Sequence, residues 1–274
     1  MDLSRLHQEL LRSPESLGVM SDFWSLRPRL TVHWLSHTDS TNRTLASMVV
    51  DGASPGTVVI ASQQTAGRGQ WGRQWHSPPG GLYLSLALAP QLTLNRSSLY
   101  FTLAGTWGVA TSLNNLGIPA QVKWPNDIII RGKKLGGVLA EARTCGSLLE
   151  TLIVGLGLNC FNTVPPAGVS LNQLVNREQP QEVLGTLEGI AAVALYGLLQ
   201  GYFFWQTRGD RPFIEAYQAI MAYMGQTFIV NGREARVIGV STRGNLQLET
   251  DNSSTENRHS LEFEPGKFAL GYNS

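Results

Sequence analysis

The sequence predicts an α+β fold: a mixed-sheet main domain followed by a small all-β domain. Two β-rich runs, residues 57–63 (TVVIASQ) and 82–89 (LYLSLALA), flank a glycine-rich loop. Two long apolar segments, residues 96–116 and 185–206, have the length and composition of buried helices. After Gly225 the pattern changes to short alternating runs separated by turn residues, as expected of a β-barrel of about 50 residues.

Taken in order, residues 1–30 begin with leucines at 3, 6, 10 and 11, a helical spacing, and then turn to Ser, Pro and Gly as an N-terminal extension. The main domain is expected over residues 31–224. Its first apolar helix ends at Gly117 and Pro119. Residues 127–131, 134–143 and 148–156 follow as strands, with Arg131-Gly132-Lys133 as a hairpin turn. Residues 185–206 and 211–224 read as helices. In the third region, 225–274, strands are expected at 227–230, 235–240, 246–249 and 258–263. Asn231-Gly232, Arg243-Gly244 and residues 251–254 separate them.

At 274 residues and 42% hydrophobic, the chain can bury a large core. Charged residues reach only 15%, against roughly one quarter in an average globular protein. The net charge of +1 favours neither a nucleic acid nor a membrane surface. Cys145 and Cys160 have no metal-type spacing, and the five histidines form no ligand pattern. Asp2, Arg5, His7, Glu9 and Arg12 interrupt the N-terminal leucines, so no signal-peptide core is expected. No stretch is expected to span a bilayer, the expected location is cytoplasmic, and the Asn-x-Ser/Thr triplets at Asn42 and Asn95 carry no glycosylation meaning.

The most informative local feature is an absence of acid. Residues 52–126 contain no aspartate or glutamate, and Asp127 ends the run. Inside it lies GRGQWGRQW (residues 67–75), and at its end KWPND (residues 123–127). Glycines allow backbone N–H groups to converge on an anion, and Arg68 and Arg73 add forked donors. A solvated hairpin loop would have the same glycines, but Trp71 and Trp75 indicate a loop that covers something. Gly67, Gly69 and Gly72 fit G-x-G-x-x-G, yet SPPGG follows where a dinucleotide site requires a helix. No P-loop pattern occurs. In KWPND, Pro125 stiffens the backbone and favours an extended Trp124, fixing Lys123 and Asp127 relative to each other; a plain strand-to-strand turn fits the residues equally well.

Six phrases in order give the chain a specific resemblance. STN (40–42), QTAGRGQWGRQW (64–75), SPPGGLYLS (77–85), KWPND (123–127), KKLGGVLAE (133–141) and GLGLN (155–159) resemble the biotin protein ligases. The resemblance runs from about His33 to Met224, and the C-terminal β-region fits it. It implies a catalytic domain similar to the class II aminoacyl-tRNA synthetase and lipoate ligase cores, with an SH3-like C-terminal barrel. The implied activity joins biotin to AMP, using ATP and Mg²⁺, and passes biotin to one lysine of a biotin carboxyl carrier protein such as that of acetyl-CoA carboxylase. Magnesium would arrive with ATP and not in a protein-only metal site.

The resemblance also implies roles for particular residues. Ser40, Thr41, Asn42 and Gln64 match residues that line the biotin pocket. Lys134 matches the lysine at the biotin carboxylate, and Arg68, Gly69 and Gln70 match loop residues folding over biotin and the adenylate. Trp75 would be an apolar wall. Lys123 and Arg73 would meet the phosphates, with Asn126 and Asn159 on the nucleotide side. A carboxylate attacking a triphosphate needs cations and must avoid competing carboxylates, which accounts for the acid-free run. Arg68, Lys123 and Asp127 are the expected catalytic residues. Asp127, the only acid of the region, would accept a proton from the incoming lysine or orient it, since at pH 7 a free lysine is neutral in about one molecule in 2,500.

More modest readings exist: Ser40 and Thr41 as helix caps, Asn159 as a strand end, Lys134 as a hairpin lysine. Family members commonly carry arginine at the position of Gln70, so retention of the intermediate is expected to be weaker here. Only 39 residues precede Ser40, fewer than a winged-helix domain needs, so no DNA-binding or repressor activity is expected. A homodimer is compatible with the resemblance. A lipoate-type acyl ligase and a non-catalytic biotin sensor are the alternatives.

Overall fold

The computed structural model describes residues 1–89, 98–145, 148–174, 182–250 and 259–271. Asn95, Arg96, Arg258 and the turn expected at 251–254 lie outside these residues. The main sheet has seven strands. In spatial order they are β1 (Thr31–Leu35), β2 (Thr57–Ala61), β3 (Leu82–Leu88), β7 (Leu148–Leu158), β6 (Lys133–Cys145), β5 (Asp127–Ile130) and β4 (Gln121–Lys123). β1 and β2 pair in parallel, joined by helix α2 (Thr41–Val50); the other pairings are antiparallel. The sheet is mixed, as predicted.

The strands have two apolar faces because helices cover both. Val58, Ile60, Leu84 and Leu86 join the large core under helices α3 (Ser98–Asn115) and α4 (Leu187–Arg208). On the opposite face Val59, Ala87 and Ile153 meet Leu45 of α2. α2 covers only the β2–β3–β7 part of that face. The uncovered part, toward β6 and β5, holds the site described below.

α4 is long and apolar enough to cross a membrane by length and composition, against the sequence-based expectation that no stretch is. It is a core helix: 78% of its most apolar window is buried, and its backbone lies against α3. A Cβ built on Gly201 would sit 2.0 Å from the Ala104 carbonyl oxygen, and one on Gly108 would sit 2.1 Å from the Gly197 oxygen. Gln200 satisfies the buried seam by donating to the Gly108 carbonyl (2.9 Å) and to Ser112 Oγ (2.6 Å).

The N-terminal extension packs on this pair. Helix α1 (Leu3–Leu10) is capped by Asp2, whose backbone N–H donates to Glu188 of α4 at 2.7 Å. Leu6 and Leu17 are buried in the same core. Helix α5 (Asp210–Ala219) then leads to the second sheet.

That sheet is an antiparallel meander of four strands, β8 (Thr227–Val230), β9 (Arg233–Val240), β10 (Leu246–Thr250) and β11 (His259–Phe263). The sequence predicts a closed SH3-like barrel; among the described residues the sheet is open, with β8 and β11 as its edges. Ala235, Val237, Leu246 and Leu248 are buried in the same core as the main sheet. The tight turns follow the sequence: Arg131-Gly132 and Asn231-Gly232 have positive φ at both residues, as two-residue hairpins require.

Candidate active site

The site begins as bare backbone. On the face that α2 leaves open, cross-strand partners place Gly137, Leu139 and Glu141 of β6 beside Gly157, Gly155 and Ile153 of β7, with Ser85 of β3 next to Gly155. The glycines make room for what comes over them. A Cβ on Gly155 would lie 2.2 Å from Asn42 Oδ1, and one on Gly157 2.4 Å from Trp75 Nε1. A β-bulge on β6 adds to this surface: Ile128 pairs with Gly136 but Ile129 with Lys134, leaving Leu135 as the extra residue. The bulge resets the alternation and brings Lys134 onto the face of Gly137.

One end of the hollow is polar and fixed. Ser40 stands at the N-cap position of α2, but its side chain makes no capping bond, so the capping explanation does not hold. Gln64, just beyond β2, accepts from the Thr41 backbone N–H at 2.9 Å and donates to Ser77 Oγ at 2.8 Å. Ser85 Oγ donates to Asn42 Oδ1 at 2.6 Å and lies 2.8 Å from Thr41 Oγ1. All four side chains around Thr41 are held by protein partners, which lowers the cost of recognising a small polar group.

The other end is cationic. The hairpin between β4 and β5 pairs Lys123 with Asp127 across the Trp124-Pro125-Asn126 connection, whose Trp124–Pro125 bond is cis. Lys134 Nζ lies 2.5 Å from Asp127 Oδ1 and 5.1 Å from the centroid of the Trp75 ring. Lys123 is only 5% exposed. Burial pulls its ammonium down to about 8; Asp127 opposes the fall, and Lys134 and Arg73 add to it.

The glycine-rich loop closes the hollow from above. It doubles back on itself, with the Gly69 N–H donating to the Arg73 carbonyl at 2.7 Å and the Trp75 N–H to the Gly67 carbonyl at 2.9 Å. Trp75 forms a wall over Gly157, and its Nε1–H is a buried donor with no partner among the described residues. Trp71, at the tip, is 62% exposed and rests on Gly266 of the C-terminal segment, where an added Cβ would meet its ring at 2.8 Å. Beneath the loop is an inner cavity of about 130 Å³. It continues into one opening of about 600 Å³ toward Ser98, Glu141 and Arg243, and another of about 480 Å³ toward Lys123 and Lys267. Gln70 lines all three.

The predicted residues therefore converge. Ser40, Thr41, Asn42, Gln64, Arg68, Gly69, Gln70, Arg73, Trp75, Asn126, Asp127 and Lys134 line the inner cavity, and Lys123 lines the opening beside it. Asn159 does not line these spaces: it is buried behind Lys134, accepting from Asn162 Nδ2 at 3.1 Å. One expectation needs correction. Asp127 is not the only acid here, because β6 brings Glu141 to the same surface, 2.9 Å from Arg68 Nη1. The acid-free run holds along the chain but not in space. The site keeps its carboxylates and matches each to a cation. The spacing of Gly137, Gly155 and Gly157, glycines on one strand face, was the available signal for the floor.

The chain matches the model of the Biotin/lipoate A/B protein ligase family over residues 34–159. It is 30% identical over 223 residues to the biotin–[acetyl-CoA-carboxylase] ligase of Paracoccus denitrificans, covering 75% of this chain and 87% of that protein. It is 28% identical over 268 residues to the bifunctional ligase/repressor BirA of Bacillus subtilis (strain 168), covering 94% of this chain and 82% of that one. The solved biotin protein ligase from Aquifex aeolicus in complex with biotin and ATP superimposes with a TM-score of 0.69 at 26% identity, covering 89% of this chain and 99% of that one. A polar pocket joined to a cluster of cations, on a fold shared along nearly its whole length with such enzymes, leaves one conclusion: the chain belongs to the biotin protein ligase family.

Proposed function

We propose that the protein uses ATP to convert biotin to biotinyl-5′-AMP and then transfers biotin to one lysine of a biotin carboxyl carrier protein. The observation that carries this reading is the polarity of the hollow. A fixed hydrogen-bonding end at Thr41, Gln64 and Asn42 suits the ureido ring. A cationic end at Lys134, Arg68, Arg73 and Lys123 suits a carboxylate meeting a triphosphate.

In the first step a biotin carboxylate oxygen bonds to the α-phosphorus as the bond to the β-phosphate oxygen breaks and pyrophosphate leaves. Lys134 holds the carboxylate, Arg68 and Arg73 draw charge from the α-phosphate, and Lys123 meets the leaving phosphates. Asn126, fixed by donating to the Val138 carbonyl at 3.0 Å, is the proposed contact on the nucleotide side. Mg²⁺ enters this scheme with the substrate, as MgATP. In the second step the carrier's neutral amine attacks the acyl carbon, AMP leaves, and the nitrogen gives up a proton. Asp127 is 13% exposed and paired with Lys134, which makes it first an orienting group for that lysine and a proton acceptor once the carboxylate charge on biotin is gone. Asn159 supports Lys134 from behind, its Nδ2 donating to the Lys134 carbonyl at 3.4 Å. DNA binding is not part of the proposal, in keeping with a net charge of +1.

The test combines protein, MgATP, biotin and a biotin carboxyl carrier domain, read by intact mass. One biotin added per carrier, with the rate lowered about 10²-fold or more in Lys123→Ala, is the expected result. Addition of lipoate in preference to biotin would replace the substrate; tight biotin binding without any turnover would make the protein a sensor.

A further inference from the structure

Glu141 has no role in the scheme above, yet its two carboxylate oxygens serve two different parts of the site. Oε2 accepts from Asn42 Nδ2 at 2.6 Å, and Oε1 lies 2.9 Å from Arg68 Nη1. Asn42 belongs to the rigid part: it is buried, held by Ser85, and seated over the bare backbone of Gly155. Arg68 belongs to the glycine-rich loop, whose backbone bonds are largely to itself.

We propose that Glu141 is the positioning residue of the glycine-rich loop, tying Arg68 to the floor of the biotin pocket so that the loop stays down over the adenylate. An ordinary surface ion pair would do little, because two long side chains must be ordered for a weak attraction in water. This pair differs in one respect. Asn42 has already fixed the carboxylate, so only Arg68 loses freedom when the pair forms, and the loop's closed population carries the gain. The geometry also gives the pocket a reporter: whatever displaces Asn42 moves Glu141 and with it Arg68. The inference rests on the ligase reading only for what the loop covers, not for the tether itself.

The test uses Glu141→Gln, which keeps an acceptor for Asn42 but removes the charge that holds Arg68. Two readouts are needed. The first is the rate of chymotrypsin cleavage after Trp71 in the protein alone, which does not depend on any activity. The second is the lifetime of biotinyl-adenylate formed without carrier. We expect cleavage about tenfold faster and adenylate lost severalfold faster, with Tm close to wild type. In Arg68→Gln the same cleavage increase is expected, and the double variant should add nothing further. Cleavage unchanged in Glu141→Gln, or single effects that add in full, would overturn the tether. If cleavage rises as expected but the wild type makes no adenylate, the tether stands and the ligase reading falls.

Discussion

Lys123 is held between two demands: burial favours its neutral form, and the triphosphate of the proposed reaction would favour its cation. Its proton leaves at about 8 in the folded protein, against about 10.4 in an unfolded chain. The folded state therefore binds fewer protons between these values, and stability from this group rises with pH across that window. Its destabilising contribution is complete below about pH 8 and gone above about 10.4. Ligand binding takes the opposite direction. A nucleotide that requires the ammonium must draw a proton above pH 8, so ATP affinity should weaken there by up to about tenfold per pH unit. Titrations from pH 7 to 9.5 would show the bend, and Lys123→Arg, which stays charged, should flatten it. Gln70 invites a second measurement at this scale. It touches the inner cavity and both openings, where a charged side chain would close over the intermediate. Gln70→Arg is expected to reduce biotinylation of bystander lysines severalfold, read by mass spectrometry of a mixed protein pool. Most residues of the hollow were legible in the sequence, because their phrases are contiguous. Glu141 was not, since an ion pair to a residue 73 positions earlier leaves no local mark.

Among the elements, those with strong periodicity or clear punctuation were legible, and most of their ends agree with expectation to within a few residues, although the helix read over 211–224 stops at Ala219. The helix read over 185–206 is Leu187–Arg208, and the strand read over 227–230 is Thr227–Val230. β1 and β4 had no such signal. β4 has only three residues, and β1 includes a histidine and alternates weakly because it is an edge strand. The β6 bulge was also hidden, since nothing in KKLGG marks which residue is extra. The α3–α4 seam has an experimental consequence. Gly201→Ala would drive a methyl group onto the backbone of Ala104, which no rotamer change can relieve. The helices must separate, at a cost of about 1–3 kcal/mol or more, lowering Tm by several degrees in a thermal melt. Gly185→Ala, where an added Cβ meets nothing, is the control and should leave Tm near wild type.

Across the whole molecule, the sequence suggests a division near residue 225, and the change of texture there matches the start of the second sheet at Thr227. What the sequence does not convey is how much the two regions share. Trp124, next to Lys123, donates its indole N–H to the Gly244 carbonyl at 2.9 Å, and Val240 donates to Gln218 Oε1 at 2.6 Å. Tyr100 of α3 reaches the Thr242 carbonyl at 2.5 Å. These contacts join residues over 100 positions apart in two of the three cases, beyond the reach of pattern reading. Trp124→Phe removes one donor and leaves a buried carbonyl unpaired, a loss of about 1–3 kcal/mol in a denaturant melt. On the proposed function it should also raise the KM for ATP while biotin affinity stays near wild type, because Trp124 lines the opening with Lys123 and does not line the inner cavity.

The seat that Gly266 offers to Trp71 extends this sharing to the loop itself. Among the described residues the four-stranded sheet has two open edges and is too small to persist alone, yet the segment that follows it, Gly266 to Leu270, carries one side of the opening beside Lys123. Produced as two polypeptides, residues 1–224 and 225–274, the halves should each be inactive and regain adenylate synthesis on mixing, with a concentration dependence set by their affinity. The molecule would then serve as a two-part complementation reporter, labelling carriers only where its halves meet.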